Sequence, residues 1–285
     1  MKDFKYIRPK NLDELLAIKN EQQEEARLLA GGTNLLVYIK EGSLKSGTLV
    51  DISSLAAVKG IREKDGYLEI GAAETITDIT ASPLVSEKLP FLRESLQGFA
   101  NPLIRNISTV AGNIAEGSPI ADTAPLLLVL NSEVVVASIA GRRNIPIDDF
   151  FISLGKTEIK AEEVIITIRI PIPEKGKGKF VKLGLRKGTS CSVVSVAVWL
   201  IANGRGVEDI RIALGGVAPL PLRAVKTEAF FKSKILDENN IGELALKVTN
   251  EVTPITDVRS GAAYRSEVSA ALLLKAVREC LGMEE

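Results

Sequence analysis

Two stretches of this 285-residue chain combine residue types that can hold an anion or a polar heterocycle. The first is Ala30-Gly31-Gly32-Thr33-Asn34-Leu35. Paired glycines let a backbone approach an anion closely, the amides of the turn and of a following helix point at it, and Thr33 and Asn34 add side-chain hydrogen bonds. No lysine follows as in a P-loop and the G-x-G-x-x-G spacing is absent, so the stretch is either an anion-binding turn or a plain tight turn. The second runs from Thr109 to Asp122 (TVAGNIAEGSPIAD) and mixes small residues, hydroxyls, one amide and carboxylates. Such a lining suits a near-neutral ligand part such as a ribityl chain or a heteroaromatic ring. The alternative is an irregular connection in which Asp122 caps the following helix. A third feature is Lys182 with Arg186, four residues apart and so on one face of a predicted strand. A cation there would stabilise a reduced, anionic flavin, or else belongs to a solvated strand face.

Other chemistry is excluded by composition. With no histidine, the chain can form no Ser-His-Asp triad, no Cys-His dyad and no histidine-ligated metal site. Cys191 and Cys280 are its only cysteines, short of the four thiolates an iron–sulfur cluster usually takes. Two cysteines make a poor disulfide framework and fit a reducing cytoplasm. The 36 basic residues balance 36 acidic ones, and only 13 residues are aromatic (8 Phe, 4 Tyr, 1 Trp), so neither the basic excess nor the stacking platforms of a nucleic-acid binder are present. The N-terminus lacks an apolar signal core, and runs such as 193–202 are too short to span a bilayer. Redox chemistry on this chain requires a borrowed organic cofactor.

The elements that must position these residues follow from pattern. Leu12, Leu15 and Leu16 behind Asn11 predict a capped helix. The run 26–30 predicts a strand ending at the glycine pair, 35–40 a helical turn and 48–52 a second strand, which together make an α/β unit. Residues 67–72 predict a strand, 77–100 a helical region broken by Pro83 and Pro90, 101–119 a turn-rich stretch, 121–130 a helix, and 133–137 and 164–170 two strands. The Pro-, Gly- and Lys-rich segment 171–179 is the expected boundary. Beyond it, 180–185, 192–202 and 209–215 predict three antiparallel strands, and roughly 224–281 is helical. Arg142-Arg143 falls at a predicted hairpin tip and Glu162-Glu163 at a turn before a strand.

Taken together, these motifs resemble the flavin-binding medium subunit of the molybdenum hydroxylases, the family of xanthine dehydrogenase and aerobic carbon monoxide dehydrogenase. The resemblance spans the chain in six ordered islands: 30–36 (AGGTNLL), 104–122 (IRNISTVAGNIAEGSPIAD), 163–171 (EVIITIRIP), 182–188 (KLGLRKG), 213–224 (ALGGVAPLPLRA) and 257–277 (DVRSGAAYRSEVSAALLLKAV). It implies an α+β fold: an FAD-binding domain over 1–175 of the vanillyl-alcohol-oxidase type, with subdomains of about 1–55 and 56–175, then a three-stranded antiparallel sheet with a helical bundle over 176–285. It implies that Leu28, Leu29, Ala30, Gly31, Gly32, Thr33, Asn34 and Leu35 form the pyrophosphate loop, and that Thr109, Val110, Ala111, Gly112 and Asn113 form a second FAD loop. Phe99, Asp122, Ile165 and Lys182 fall on further FAD-lining positions. The family's flavin accepts electrons from iron–sulfur clusters on a small subunit, reduced in turn by a molybdopterin large subunit, and passes them to NAD, oxygen or another acceptor.

The stretch Gly188-Thr189-Ser190-Cys191 departs from that pattern, lacking the aromatic or acidic residue that several relatives place over the flavin. FAD is expected to be non-covalent, since histidine is absent and neither cysteine sits in a matched loop. Two other functions fit the residues: a free-standing flavin oxidoreductase using NAD(P)H, and a ligand-binding protein that has lost FAD.

Overall fold

A three-stranded parallel sheet opens the chain, in a computed structural model that describes residues 3–186 and 190–283. Its central strand, Gly47–Asp51, pairs with Phe4–Ile7 on one side and Ala26–Leu29 on the other. Parallel neighbours need crossover connections, and two helices supply them. Leu12–Gln22 begins where Asn11 Oδ1 accepts from the Glu14 amide at 2.9 Å, and Leu35–Glu41 ends at Gly42 in the left-handed region. The Gly31-Gly32 turn therefore lies at the carboxyl end of a parallel strand, where open α/β sheets hold their ligands.

Asp51 locks this sheet at its end. It accepts from Arg8 Nη2 at 2.6 Å, from the Ser53 hydroxyl at 2.6 Å and amide at 2.9 Å, and from the Tyr6 hydroxyl. Burial alone would raise its pKa, but the donors from Ser53, Tyr6 and Arg8 outweigh burial and hold it well below the usual carboxylate range. A carboxylate depressed in the folded state stabilises the fold above its unfolded pKa, near 4, and loses that contribution as pH falls toward the folded value. Asp51→Asn should thus cost about 2 kcal/mol at pH 7 and much less near pH 2. Urea unfolding at the two pH values checks this; a gap that persists at pH 2 would count against the charge as its cause.

The second sheet is antiparallel, ordered Ile61–Lys64, Tyr67–Gly71, Val164–Pro171, Glu133–Ser138, Gly141–Pro146. Six short helices lie between Gly71 and Glu133. Pro83, Pro90 and Pro102 each open a helix instead of breaking one, because a first helical turn has no use for the missing N–H. The turn-rich stretch 101–119 contains two of these helices, Pro102–Arg105 and Val110–Ala115.

The C-terminal sheet has four strands where three were expected. Lys177–Gly184, Ser192–Asn203 and Gly206–Gly215 form a meander, and the two residues Leu222–Arg223 add a short edge through Leu214 and Ala213. Pro219 and Pro221 precede that edge and limit it, since neither has an N–H to donate. Helix Ala262–Leu281 packs on the meander, with Val225–Phe231 and Ile241–Leu246 beside it.

Strand Ser192–Asn203 serves two cores. Val194, Val196, Val198 and Leu200 face the C-terminal helices, while Ala197 and Trp199 join the N-terminal core, where the Trp199 ring meets Phe91 edge-on at 5.8 Å. This period-two division is what a strand buried on both faces requires. Helix Thr123–Val129 is buried at all seven positions, and its last carbonyls are held from the C-terminal sheet: Arg223 Nη1 donates to Leu128 at 3.2 Å and Arg211 Nη1 to Val129 at 2.9 Å. Among the described residues, no helix is long and apolar enough to cross a membrane, and no group of three or more Cys, Asp or Glu could hold a metal ion.

Candidate functional site

The two N-terminal sheets and their loops enclose a cleft of about 1030 Å³. One wall is the glycine turn. Gly32 has φ +67°, and a Cβ on Gly31 would lie 1.9 Å from the Ile107 carbonyl oxygen, so this turn packs backbone to backbone against the second loop. Only glycine permits both. Helix Leu35–Glu41 starts at Asn34 without a side-chain cap, and its Leu36 and Val37 amides already donate to the Gly32 and Asn34 carbonyls at 3.0 and 2.9 Å.

The second loop forms the facing wall. Thr109 Oγ1 caps helix Val110–Ala115 by accepting from the Gly112 amide at 2.9 Å. Asn113 Oδ1 accepts from the Thr123 hydroxyl at 2.6 Å and amide at 3.2 Å, which commits the amide oxygen to protein and leaves its NH2 as a donor. Beside them, Ser108 Oγ is buried without a hydrogen-bond partner and lines the cleft. A buried hydroxyl normally finds a partner, so this one fits a bound polar group.

Asp122 sits at the start of helix Thr123–Val129 but does not cap it. Its carboxylate turns to the C-terminal sheet instead, accepting from Lys182 Nζ at 2.7 Å and from Ser192 Oγ at 2.5 Å. A cation and a carboxylate are thus fixed together at the cleft edge, beside Ser190 and Cys191. Lys182 and Arg186 do not share a regular strand face: the strand ends at Gly184, after a register shift between Leu183 and Gly184. In the departing stretch, Gly188 and Thr189 lie outside the described residues.

Of the expected site residues, Leu28, Ala30, Gly31, Gly32, Thr33, Asn34, Leu35, Phe99, Thr109, Ala111, Gly112, Asn113, Asp122 and Ile165 line this cleft. Leu29, Val110 and Lys182 do not. Val110 is buried in the N-terminal core, on the inner side of its helix. Leu29 alternates away from Leu28 along the strand, and its Cδ1 lies 2.8 Å from where a Gly32 Cβ would stand. Lys182 reaches the site only through Asp122.

The cleft also has walls that the motifs did not foretell. Lys19 is buried, with Nζ donating to the carbonyls of Gln23 at 2.7 Å and Ala26 at 3.3 Å, and burial lowers its pKa. Ala100 lines it at φ +44°, a conformation few non-glycine residues adopt, while Arg105 Nη1 holds the adjacent Phe99 carbonyl at 2.7 Å. Tyr38 donates to Glu116 across the cleft, and this contact raises the phenol to about 12. Thr157, Ile159, Lys160, Ala161 and Glu163 close another side. Tyr38 and Glu116 meet across 78 residues, which no local spacing signals, whereas Lys19 is held by carbonyls only four and seven residues away.

Comparison with known proteins gives consistent matches. Residues 2–173 match the family model described as the FAD binding domain in molybdopterin dehydrogenase, and residues 179–280 match the CO dehydrogenase flavoprotein C-terminal domain. The carbon monoxide dehydrogenase medium chain of Hydrogenophaga pseudoflava is 31% identical over 274 residues, covering 96% of both chains. The glyceraldehyde dehydrogenase medium chain of Sulfolobus acidocaldarius is 29% identical over 277 residues, covering 97% of this chain and 98% of the relative. A solved structure of the Hydrogenophaga pseudoflava carbon monoxide dehydrogenase that lacks the Mo-pyranopterin moiety of its cofactor superposes with a TM-score of 0.94 at 31% identity, covering 98% of each chain. Quinoline 2-oxidoreductase from Pseudomonas putida 86 superposes with a TM-score of 0.93 at 27% identity, covering 98% of this chain and 97% of that one.

Proposed function

The chain belongs to the FAD-binding, molybdopterin-dehydrogenase flavoprotein family, and from this we propose that it is the electron-transferring medium subunit of a molybdenum hydroxylase. The observation that carries the reading is the cleft itself. Two glycine-bearing loops meet backbone to backbone, the orphaned Ser108 hydroxyl lies between them, and the Asp122–Lys182 pair stands at the edge.

FAD supplies one- and two-electron transfer when bound. The residues of this chain would hold and orient it. The backbone of the Gly31-Gly32 turn, with Thr33 and Asn34, would receive the pyrophosphate. Thr109, Ser108 and the Asn113 NH2 would donate to its polar atoms. Asp122 holds Lys182 and Ser192 in place, so the C-terminal sheet contributes a fixed positive charge beside the cleft. With no histidine, the chain lacks the imidazole that most often serves as a general acid or base. In this reading, supported by relatives that are medium chains of larger assemblies, electrons come from an iron–sulfur small subunit and a molybdopterin large subunit and leave to NAD, oxygen or another acceptor.

The reading includes finer points. The domains run over 1–175, with subdomains of about 1–55 and 56–175, and over 176–285; two hydrophobic clusters support that division, with Ala197, Trp199 and Ala213 of the second domain packed into the core of the first. The N-terminal domain is of the vanillyl-alcohol-oxidase type, clamping FAD between its subdomains. The flavin is non-covalent and the assembly cytoplasmic.

The test is anaerobic. The purified chain should be yellow, and acid precipitation should leave the chromophore in the supernatant. Mixed alone with purines, aldehydes or carbon monoxide, it should stay yellow; with both partner subunits added, one of these should bleach it. Bleaching of the isolated chain would instead favour a free-standing oxidoreductase, and a colourless chain that cannot be reconstituted would favour a ligand-binding protein.

A further inference from the structure

We propose that Arg143 is a positioning residue that holds the adenosine end of the FAD cleft in shape, an inference that rests on the reading of that cleft as an FAD site. Arg143 lies on edge strand Gly141–Pro146 and is absent from the cleft lining. Its guanidinium reaches two points on the irregular segment between residues 157 and 164. Nε donates to Glu163 Oε1 at 2.7 Å and Nη2 to Glu163 Oε2 at 2.8 Å, while Nη2 also donates to the Glu158 carbonyl at 2.7 Å. Glu163 in turn accepts from the Lys160 amide at 2.9 Å, and the Glu163 amide donates to the Lys160 carbonyl at 3.0 Å. One side chain therefore fixes both ends of a loop that has neither helix nor strand of its own.

The contacts are of the kind that set geometry. Glu163 is only 7% exposed, and a bidentate guanidinium–carboxylate pair fixes orientation as well as distance. The Arg143 guanidinium holds the Glu163 carboxyl below the usual range, against the opposing effect of burial. Within the clamped loop, Ile159, Lys160 and Ala161 line the cleft, joined by Ile165 at the start of the next strand. Beside them stand the Thr157 hydroxyl and the Glu163 carboxylate, whose charge Arg143 neutralises, so that apart from Lys160 the wall is uncharged. That composition suits an uncharged heteroaromatic base, and it differs from the Asp122–Lys182 edge, which is charged and built with the C-terminal sheet. With the pyrophosphate at the glycine turn, the dinucleotide extends both ways, and the loop held by Arg143 receives the adenosine.

The test compares ligands that share only part of FAD. FAD, ADP and FMN affinities are measured by fluorescence quenching or calorimetry on the flavin-free full chain, wild type and Arg143→Ala, with thermal midpoints recorded for both. Arg143→Ala should weaken FAD and ADP by about 10- to 50-fold, because the released loop must be ordered again when the adenylate binds. FMN, which lacks the adenylate, should bind both proteins alike, while the thermal midpoint of Arg143→Ala falls by a few degrees, as the loss of a buried charge pair requires. Equal losses for FMN and FAD, or no loss for FAD, would overturn the inference. If Arg143→Ala does not fold, Arg143→Lys takes its place. One ammonium cannot span Glu163 and the Glu158 carbonyl together, so the same split should appear with a smaller factor, and its absence would be equally decisive. A wild-type chain that binds neither flavin would overturn the FAD reading itself.

Discussion

Gly31→Ala should leave purification without its flavin. The added methyl group would lie 1.9 Å from the Ile107 carbonyl oxygen and 2.6 Å from its carbon, distances no real Cβ tolerates. Both contacts are backbone, so no side chain can swing aside. The glycine turn and the 107–113 loop must separate, and these are the two walls between which the pyrophosphate is expected. FAD affinity should fall about 100-fold or more, corresponding to roughly 3 kcal/mol. Gly32→Val should also weaken FAD, by a different route. Its Cβ would point at Leu29 Cδ1, 2.8 Å away, and at Leu36, so the new side chain does not enter the cleft; the cost is left-handed backbone strain and displacement of those leucines. Gly42→Ala is the control, since φ there is +77° but nothing lies within 4 Å. It should lose some stability and keep its flavin. Flavin-to-protein ratio after gel filtration, with circular dichroism to confirm the fold, reads all three. A yellow Gly31→Ala protein at full stoichiometry would refute the loop assignment.

The second large effect is expected at Arg265, the one guanidinium the described structure buries almost completely, at 2% exposure. Nη1 donates to the carbonyls of Gly216 at 2.8 Å and Val193 at 3.3 Å, and Nη2 to Asp257 Oδ1 at 2.6 Å. Arg265→Ala would leave two buried carbonyls and a carboxylate without this donor, at a cost of about 3 kcal/mol. For a chain of this size, the thermal midpoint should fall by roughly 6–10 °C. The damage should reach the cleft as well. Val193 follows Ser192, which holds Asp122, and the Gly216 amide donates to the Pro119 carbonyl at 2.8 Å in the stretch between Thr109 and Asp122. Differential scanning fluorimetry of the FAD-free chain and a flavin titration check the two consequences. A midpoint within 2 °C of wild type would show that the cavity and its carbonyls find other partners.

What was legible in the sequence was local. The glycine pair marked a turn after a strand because no other residue permits its backbone angles and its close contact. Asn11 marked a helix start because its side chain can accept from an amide three residues on. The Pro- and Lys-rich segment marked the way into a new sheet. What was illegible depends on distant pairing. Arg142-Arg143 and Glu162-Glu163 read as a hairpin tip and a turn, yet Arg143 and Glu163 form a bidentate charge pair across a separation of 20 residues. Asp122 could be read either as a cleft residue or as a helix cap. Its carboxylate is instead drawn away by Lys182 and Ser192, 60 and 70 residues on, whose combined donors outcompete a single backbone amide. The fourth C-terminal strand escaped notice because two residues carry no period.

Helix Thr123–Val129 has a consequence for how the molecule melts. It belongs to the N-terminal part by sequence, yet both ends are held by the C-terminal sheet, through Asp122 at its start and through Arg211 and Arg223 at its finish. Neither half can unfold without stripping those bonds from the other, so the barrier between native and denatured states is crossed by both together. A ligand seated against Asp122 binds only the folded chain and shifts that common equilibrium by mass action. Its binding energy is therefore shared by residues far from the cleft, including the helical layer around Ala262–Leu281, which has no role in the chemistry and depends on the cofactor all the same.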